Sequence, residues 1–169
     1  KLFWHTDLRK YGSHNIGATN AWRTLGKVPG IIVFLADSLK GQAGVLLGLS
    51  FVGTPLAAVI GGLLAIVGHS FSLFLRFHGG KGVATSLGVL TMLMGNVTLI
   101  VFVLWFTIVC MTRYVSLGSV VAGVLTPILA ALFAYPMEYI VFTVIAALLV
   151  IVRHRENIKR LMNGTENKI

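Results

Sequence analysis

Acidic residues and cysteine are what this sequence has least of: 5 Asp and Glu and 1 cysteine in 169 residues. A lone Cys110 excludes an intramolecular disulfide and leaves any metal site to histidines and carboxylates. The acids are Asp7, Asp37, Glu138, Glu156 and Glu166, and the 5 histidines are scattered. No His-x-x-His or His-Glu-x-x-His spacing occurs, so no metal site is predicted. Charged residues make up only 11% of the chain, against roughly a quarter in a soluble domain, which excludes an ordinary soluble fold. Internal repeats, low-complexity tracts and long linkers are absent. No cleavable signal pattern opens the chain. Lys1 is not a natural initiator, so a preceding N-terminal segment is expected.

What is present is apolar and basic: 56% hydrophobic residues and a net charge of +9, from 14 Lys and Arg against 5 acids. This composition predicts an integral membrane protein of the all-α class, a single helical bundle in one domain, 1–169. Positive loops and anionic lipid account for part of the charge, and an anionic substrate would account for the rest. Basic polar segments fall at 1–27, 69–82, 113–119 and 153–169, with apolar stretches at 28–68, 84–112 and 117–152 between them. A spanning helix takes about 20 residues. The first stretch therefore predicts two passes broken at Gly53-Thr54-Pro55, and the third two passes turning at Tyr135-Pro136. The second predicts two more, breaking at Gly95-Asn96, the first of them short and partly re-entrant behind residues 79–82. About six crossings would bring all four basic segments to one, cytoplasmic, face. Asp37 and Lys40 interrupt the first hairpin. They read as an interfacial pair ending a short helix, ahead of the alternative that Asp37 orients a cation in a site.

Four constellations could carry chemistry. Gly12-Ser-His-Asn-Ile-Gly-Ala-Thr-Asn-Ala-Trp-Arg23 offers donors from Ser13, Asn15, Thr19 and Asn20. On a helix beginning near Gly17, Thr19 shares a face with Arg23. Hydroxyl, helix-start amides and arginine together suit a phosphate; the same residues could simply cap a helix. Residues 68–85 hold Arg76, His78 and Lys81 beside Gly79, Gly80 and Gly82, a cation-and-amide set for an anion. They miss the nucleotide pattern G-x-x-x-x-G-K-[ST], because Gly82 takes the Ser/Thr position and no strand precedes it. A nucleotide triphosphatase is thereby excluded. His69 alone reads as a packed or capping residue. In Arg113-Tyr-Val-Ser-Leu-Gly-Ser119, Arg113 reads as a stop-transfer anchor, and Ser116 and Ser119 share a helical face. In Arg153-His-Arg-Glu-Asn-Ile-Lys-Arg160, a basic juxtamembrane helix places His154 and Asn157 one turn apart.

A small anion carrier or a lipid-binding scaffold would share the charge pattern. The carrier lacks an inverted repeat, and neither accounts for hydroxyl-rich strings beside each basic segment. No serine lies in a G-x-S-x-G elbow and no histidine is followed five residues on by aspartate. Neither a protein nucleophile nor a general base is evident.

These motifs resemble the bacterial acyl-phosphate:glycerol-3-phosphate acyltransferases, the PlsY type, over essentially the whole chain. Gly12-Ser-His-Asn-Ile-Gly-Ala-Thr-Asn20 is similar to that family's G-S-G-N-x-G-A-T-N, with His14 in place of a glycine. Residues 68–85 are similar to its G-H-x-x-P-x-F-x-x-F-K-G-G-K-G-V-A-T, with Ser72 and His78 where proline and lysine are usual. His154-Arg-Glu-Asn-Ile-Lys-Arg-Leu161 is similar to its third motif. The resemblance implies a seven-span bundle whose first span precedes this chain, in a bacterial inner membrane with a cytoplasmic active site. It implies acyl transfer from acyl phosphate to the 1-hydroxyl of glycerol 3-phosphate, opening phospholipid synthesis. The leaving phosphate would take the hydroxyl proton. Thr19, Gly79, Gly80 and Lys81 would then hold the acyl phosphate. Ser13, Arg23, Lys81, Ser119, His154 and Asn157 would hold glycerol 3-phosphate, with Ser116 the alternative to Ser119; of these, Lys81, Ser13, Arg23, His154 and Asn157 would be catalytic. Acyl phosphate, glycerol 3-phosphate and membrane lipids are the implied partners, with no nucleic acid, no cofactor, no metal, and a monomeric protein.

Overall fold

The computed structural model describes residues 6–169; the first five positions of the opening basic segment lie outside the described residues. Among the described residues the fold is helical throughout, without strands. The helices are α1 (Ala18–Leu25), α2 (Lys27–Val52), α3 (Pro55–Ser70), α4 (Val83–Leu93), α5 (Gly95–Thr112), α6 (Val115–Leu132), α7 (Met137–Arg153) and α8 (Arg155–Met162). Short 3-10 turns at Leu8–Lys10 and Leu73–Leu75 complete the elements.

The helix ends have local causes. Gly53 closes α2 with φ of 73°, a left-handed turn that a side chain would strain. Thr54 then caps α3, its Oγ1 accepting from the Ala57 amide at 3.2 Å, and Pro55 opens the first turn. Met94 breaks α4 from α5, and Tyr135-Pro136 precedes α7, so all three expected breaks are helix boundaries. Proline inside α6, at Pro127, does not end that helix.

Four helical segments are long and apolar enough to cross a membrane: α2, Pro55–Leu75, α5 and α6. A fifth arises if α7 and α8, bent by 60° at His154, count as one broken span. The expected sixth crossing is α4, and its 11 residues reach only about 16 Å, half a hydrocarbon core. The predicted short, partly re-entrant element is therefore this helix, and the full-length crossings number fewer than six. A second correction concerns Asp37 and Lys40. They do not end a short helix, because α2 runs on past them to Val52.

The core lies where α4 is enclosed by its neighbours. Val89, Met94, Val97 and Phe142 are fully buried there. Leucine and phenylalanine side chains on the outer surfaces, such as Phe51 and Phe74, are exposed, as expected where lipid replaces water. α2 and α3 meet backbone to backbone. A Cβ on Gly48 would collide with the Ala57 carbonyl, and one on Gly61 with that of Gly44.

Candidate active site

The four polar strings converge on one cavity of about 110 Å³ at the basic end of the bundle. The loop before α1 is tied down by one buried amide. Asn20 Nδ2 donates to the carbonyls of Leu8 (3.0 Å), Tyr11 (3.0 Å) and Asn15 (2.8 Å), while its Oδ1 accepts from the Ser13 amide at 2.9 Å. Asn20 thus spends its hydrogen bonds on the chain itself. Ser13, Thr19 and Arg23 are left lining the cavity. His14 turns this loop at φ of 55°, the left-handed region in which the related motif's glycine is at ease. Its Nδ1 lies 3.0 Å from the Arg9 carbonyl.

Lys81 enters from the loop before α4 and donates to the Asn157 side-chain oxygen. Burial pushes this lysine down to about 8, with Glu166 opposing and Arg160, Arg23 and Arg153 adding to the effect. Asn157 and His154 are almost fully buried at the α7–α8 bend. His154 Nδ1 lies 2.8 Å from the Val150 carbonyl, which fixes the proton on Nδ1 and leaves Nε2 an acceptor. From α6 come two buried serines. Ser119 Oγ donates to the Val115 carbonyl at 2.9 Å and accepts from Trp105 Nε1 at 3.3 Å. Ser116 Oγ instead donates to Glu166 Oε1 at 2.9 Å. Both serines line the cavity.

Gly79 and Gly80 do otherwise. They do not line the cavity, and their amides are occupied by the Ser70 and His69 carbonyls, each at 3.2 Å. Their carbonyls accept from Arg153 Nη2 at 2.9 and 3.0 Å. The expectation that these amides face an anion is not met. The loop needs glycine because it runs against the chain at His69 and Ser70, where a Cβ on either residue would collide. Gly82, Val83 and Ala84 line the cavity in their place. Arg76 and His78 lie off the cavity, the His78 ring 2.6 Å from the Arg76 carbonyl. Arg113 is also outside it, holding the Ile169 carbonyl at 2.6 Å.

Sequence reasoning missed Glu166 and His69 as cavity residues and placed the site reading of Asp37 second, yet all three line the cavity. Glu166 Oε1 accepts from Asn157 Nδ2 at 2.6 Å as well as from Ser116, and Oε2 accepts from Arg160 Nε at 2.7 Å. Burial alone would raise this carboxyl. The hydrogen bonds from Asn157, Ser116 and Arg160 outweigh it and hold the group below the ordinary glutamate value. Around it the tail folds back, with Arg23 gripping the Asn167 and Lys168 carbonyls at 2.6 and 3.2 Å. Its sequence signal was slight: one of two acids in the basic segment 153–169. Asp37 and His69 approach to 3.5 Å from different helices. Among the described residues no cluster of His, Cys, Asp and Glu could hold a metal ion. The arrangement is a small, cationic, hydroxyl-lined chamber beside lipid, suited to phosphate groups.

Comparison with known proteins agrees with that chemistry. The family profile described as glycerol-3-phosphate acyltransferase matches residues 1–164. A glycerol-3-phosphate acyltransferase of Carboxydothermus hydrogenoformans is 46% identical over 169 residues, covering 100% of this chain and 86% of that one. Glycerol-3-phosphate acyltransferase 2 of Moorella thermoacetica is 48% identical over 163 residues, 96% of this chain and 84% of the relative. The crystal structure of PlsY, an integral membrane glycerol 3-phosphate acyltransferase, in its glycerol 3-phosphate form, superposes with a TM-score of 0.92 at 40% identity. That match covers 98% of this chain and 83% of PlsY. Its lysophosphatidic acid form gives a TM-score of 0.87 over 94% of this chain and 81% of PlsY. From its motifs, its helices and these relatives, the chain is a member of the glycerol-3-phosphate acyltransferase family.

Proposed function

We propose that this protein moves a fatty acyl group from acyl phosphate to the 1-hydroxyl of glycerol 3-phosphate, giving lysophosphatidic acid and phosphate. The observation that carries the reading is the single cavity into which Ser13, Thr19, Arg23, Lys81, Ser119, His154 and Asn157 all project. Arg23, Ser13, Lys81, Ser119, His154 and Asn157 would take glycerol 3-phosphate. Thr19, Lys81 and the amides from Gly82 onward would take the donor's phosphate, with Gly79 and Gly80 shaping that loop rather than donating to it. Both serines already donate within the protein, Ser116 to Glu166 and Ser119 to Val115, so Ser119 is assigned here by the family pattern.

In the proposed step the acceptor oxygen attacks the acyl carbon, a new ester bond forms, and the bond from that carbon to the phosphate oxygen breaks. The departing phosphate takes the hydroxyl proton, so no side chain need act as nucleophile or base. Lys81 and Arg23 hold two anions close together in one orientation, and positioning of this kind can lower a barrier by about 7–11 kcal/mol. Preorganised cations at the phosphate stabilise charge as it moves to the leaving oxygen. The excess of Lys and Arg on the face where the site opens points to the cytoplasmic side of a bacterial inner membrane. The chain would act there as one membrane-embedded domain and as a monomer.

The experiment is direct. Purified protein is incubated with palmitoyl phosphate and glycerol 3-phosphate, and lysophosphatidic acid is measured. Parallel reactions supply acyl-CoA or acyl carrier protein as donor. Product from acyl phosphate alone is expected. Product only from a thioester donor overturns the donor assignment, and no product from any donor overturns the function.

A further inference from the structure

The tail after α8 lies as a strap across the edge of the phosphate cavity. Gly164, at φ of 69°, turns the chain back beyond α8, and Glu166 is buried against Ser116, Asn157 and Arg160. The next two carbonyls are held by Arg23 on α1, whose Nη2 donates to Asn167 at 2.6 Å and Nε to Lys168 at 3.2 Å. Further on, the Lys168 ammonium stands 5.3 Å from the centre of the Tyr114 ring. The Ile169 amide donates to the Arg113 carbonyl at 3.1 Å. Four residues thus tie α8 to α1 and to the turn between α5 and α6.

Arg23 also lines the cavity. Nε and Nη2 form one edge of its guanidinium, the parallel pair of donors that grips a phosphate on two oxygens. Here that edge is taken by main chain. A phosphate offers it two parallel bonds and full charge attraction, where the tail offers only neutral carbonyls. The cavity holds about 110 Å³, whereas ligand pockets commonly run to about 300–1,000 Å³. Two phosphate-bearing reactants therefore need a wall to draw back. Asn167 and Lys168 are exposed while Glu166 is buried, so the strap can lift beyond Glu166 without uncovering core. We propose that residues 167–169 are a latch worked by the acceptor: its phosphate takes the Nε–Nη2 edge of Arg23 from the Asn167 and Lys168 carbonyls, and the strap is released. This rests on the glycerol 3-phosphate reading given above. Water and glycerol carry no phosphate and leave the latch shut. A bound acyl phosphate is thereby shielded from water, which would cleave the same carbon–oxygen bond to give fatty acid and phosphate, until a phosphate-bearing alcohol arrives.

Two measurements test the latch. In the first, the exposed Cys110 is replaced by serine and a nitroxide spin label is attached at Lys168→Cys. Glycerol 3-phosphate is expected to sharpen the label's resonance as the strap comes free, and glycerol at the same concentration to leave it unchanged. In the second, a chain stopped after Asn167 loses the Lys168 carbonyl and the Ile169 contacts. With palmitoyl phosphate as donor, its KM for glycerol 3-phosphate should fall about 3- to 10-fold, the scale of one hydrogen bond, with kcat unchanged. Palmitate released without acceptor should rise by a similar factor. A lesion that merely loosened the fold would raise KM or lower kcat instead. A native or raised KM in the stopped chain, or a label that ignores glycerol 3-phosphate, overturns the latch; unchanged palmitate release overturns the shielding. The labelled chain keeps all 169 residues, so the first measurement decides even where the stopped chain does not fold. Should the native protein make no lysophosphatidic acid while the label still answers glycerol 3-phosphate, the acyl-transfer reading falls and the latch stands.

Discussion

Lys81 and Asn157 are joined by a hydrogen bond across the cavity, although 76 positions separate them in the chain. The loop before α4 and the start of α8 are thereby one surface, and the cation that most favours phosphate is aimed by the segment that carries His154. Lys81 is also surrounded by Arg23, Arg153 and Arg160, so its charge is tolerated rather than stabilised until an anion arrives.

Lys81→Ala is therefore expected to cut kcat/KM by at least about 100-fold, the scale of a lost transition-state charge contact. Arg113→Ala, which releases only the Ile169 carbonyl outside the cavity, should cost less than about tenfold. Initial rates with both substrates varied provide the check; equal losses would remove Lys81 from the phosphate site.

The pH profile should carry the mark of the same residue. Lys81 is lowered to about 8 by burial, and only its protonated form attracts phosphate. In the free enzyme that form is present below pH 8 and is lost as pH rises through it. kcat/KM should fall above about pH 8, and Lys81→Arg, whose charge does not titrate there, should shift that limb to higher pH or abolish it. An unchanged limb in the arginine variant would assign it to another group.

Glu166 links pH to stability with the opposite sign. Its folded-state value lies below its unfolded one, so its contribution is fully present above the unfolded glutamate value and disappears as pH falls through the folded value. Thermal unfolding in detergent should show that Glu166→Gln loses stability at neutral pH, by about 1–3 kcal/mol, and narrows its deficit in acid. A deficit constant from pH 7 to pH 3 would mean that shape, not charge, is what the tail supplies.

His14 sits at φ of 55°. His14→Gly should retain activity, because glycine takes this conformation freely. His14→Val should cost about 1–2 kcal/mol, since a branched side chain resists the left-handed region. Midpoints of unfolding for the two variants decide the point, and a valine variant as stable as native protein would show that the turn is not enforced.

The bundle was legible because its punctuation is local. Gly53 closes α2, the break expected at Gly95-Asn96 falls at Met94, and Pro136 leads into α7, while the basic strings between them declare one face of the membrane. That Ser13, Arg23, Ser119, His154 and Asn157 share one cavity was legible through the family pattern and, for His154 with Asn157, a spacing of one turn. His69 was not, and Asp37 only as the second of two readings, because each is a polar residue in an apolar stretch until α2 and α3 pack. Gly79 and Gly80 misled for a related reason. A glycine in a loop signals close approach, but not whether the thing approached is a ligand or, as here, the chain at His69 and Ser70.

The brevity of α4 has a consequence for how two dissimilar reactants could meet. Counted from the turn at Gly95, its 11 residues rise about 16 Å, about half a hydrocarbon core, so if Gly95 lies at the far surface the loop bearing Lys81 would stop within the bilayer. Water would then have to come down to the reaction. A lipid-soluble donor would keep its tail among other tails, a small charged acceptor would descend from the aqueous side, and the product would already lie in the layer it is made for.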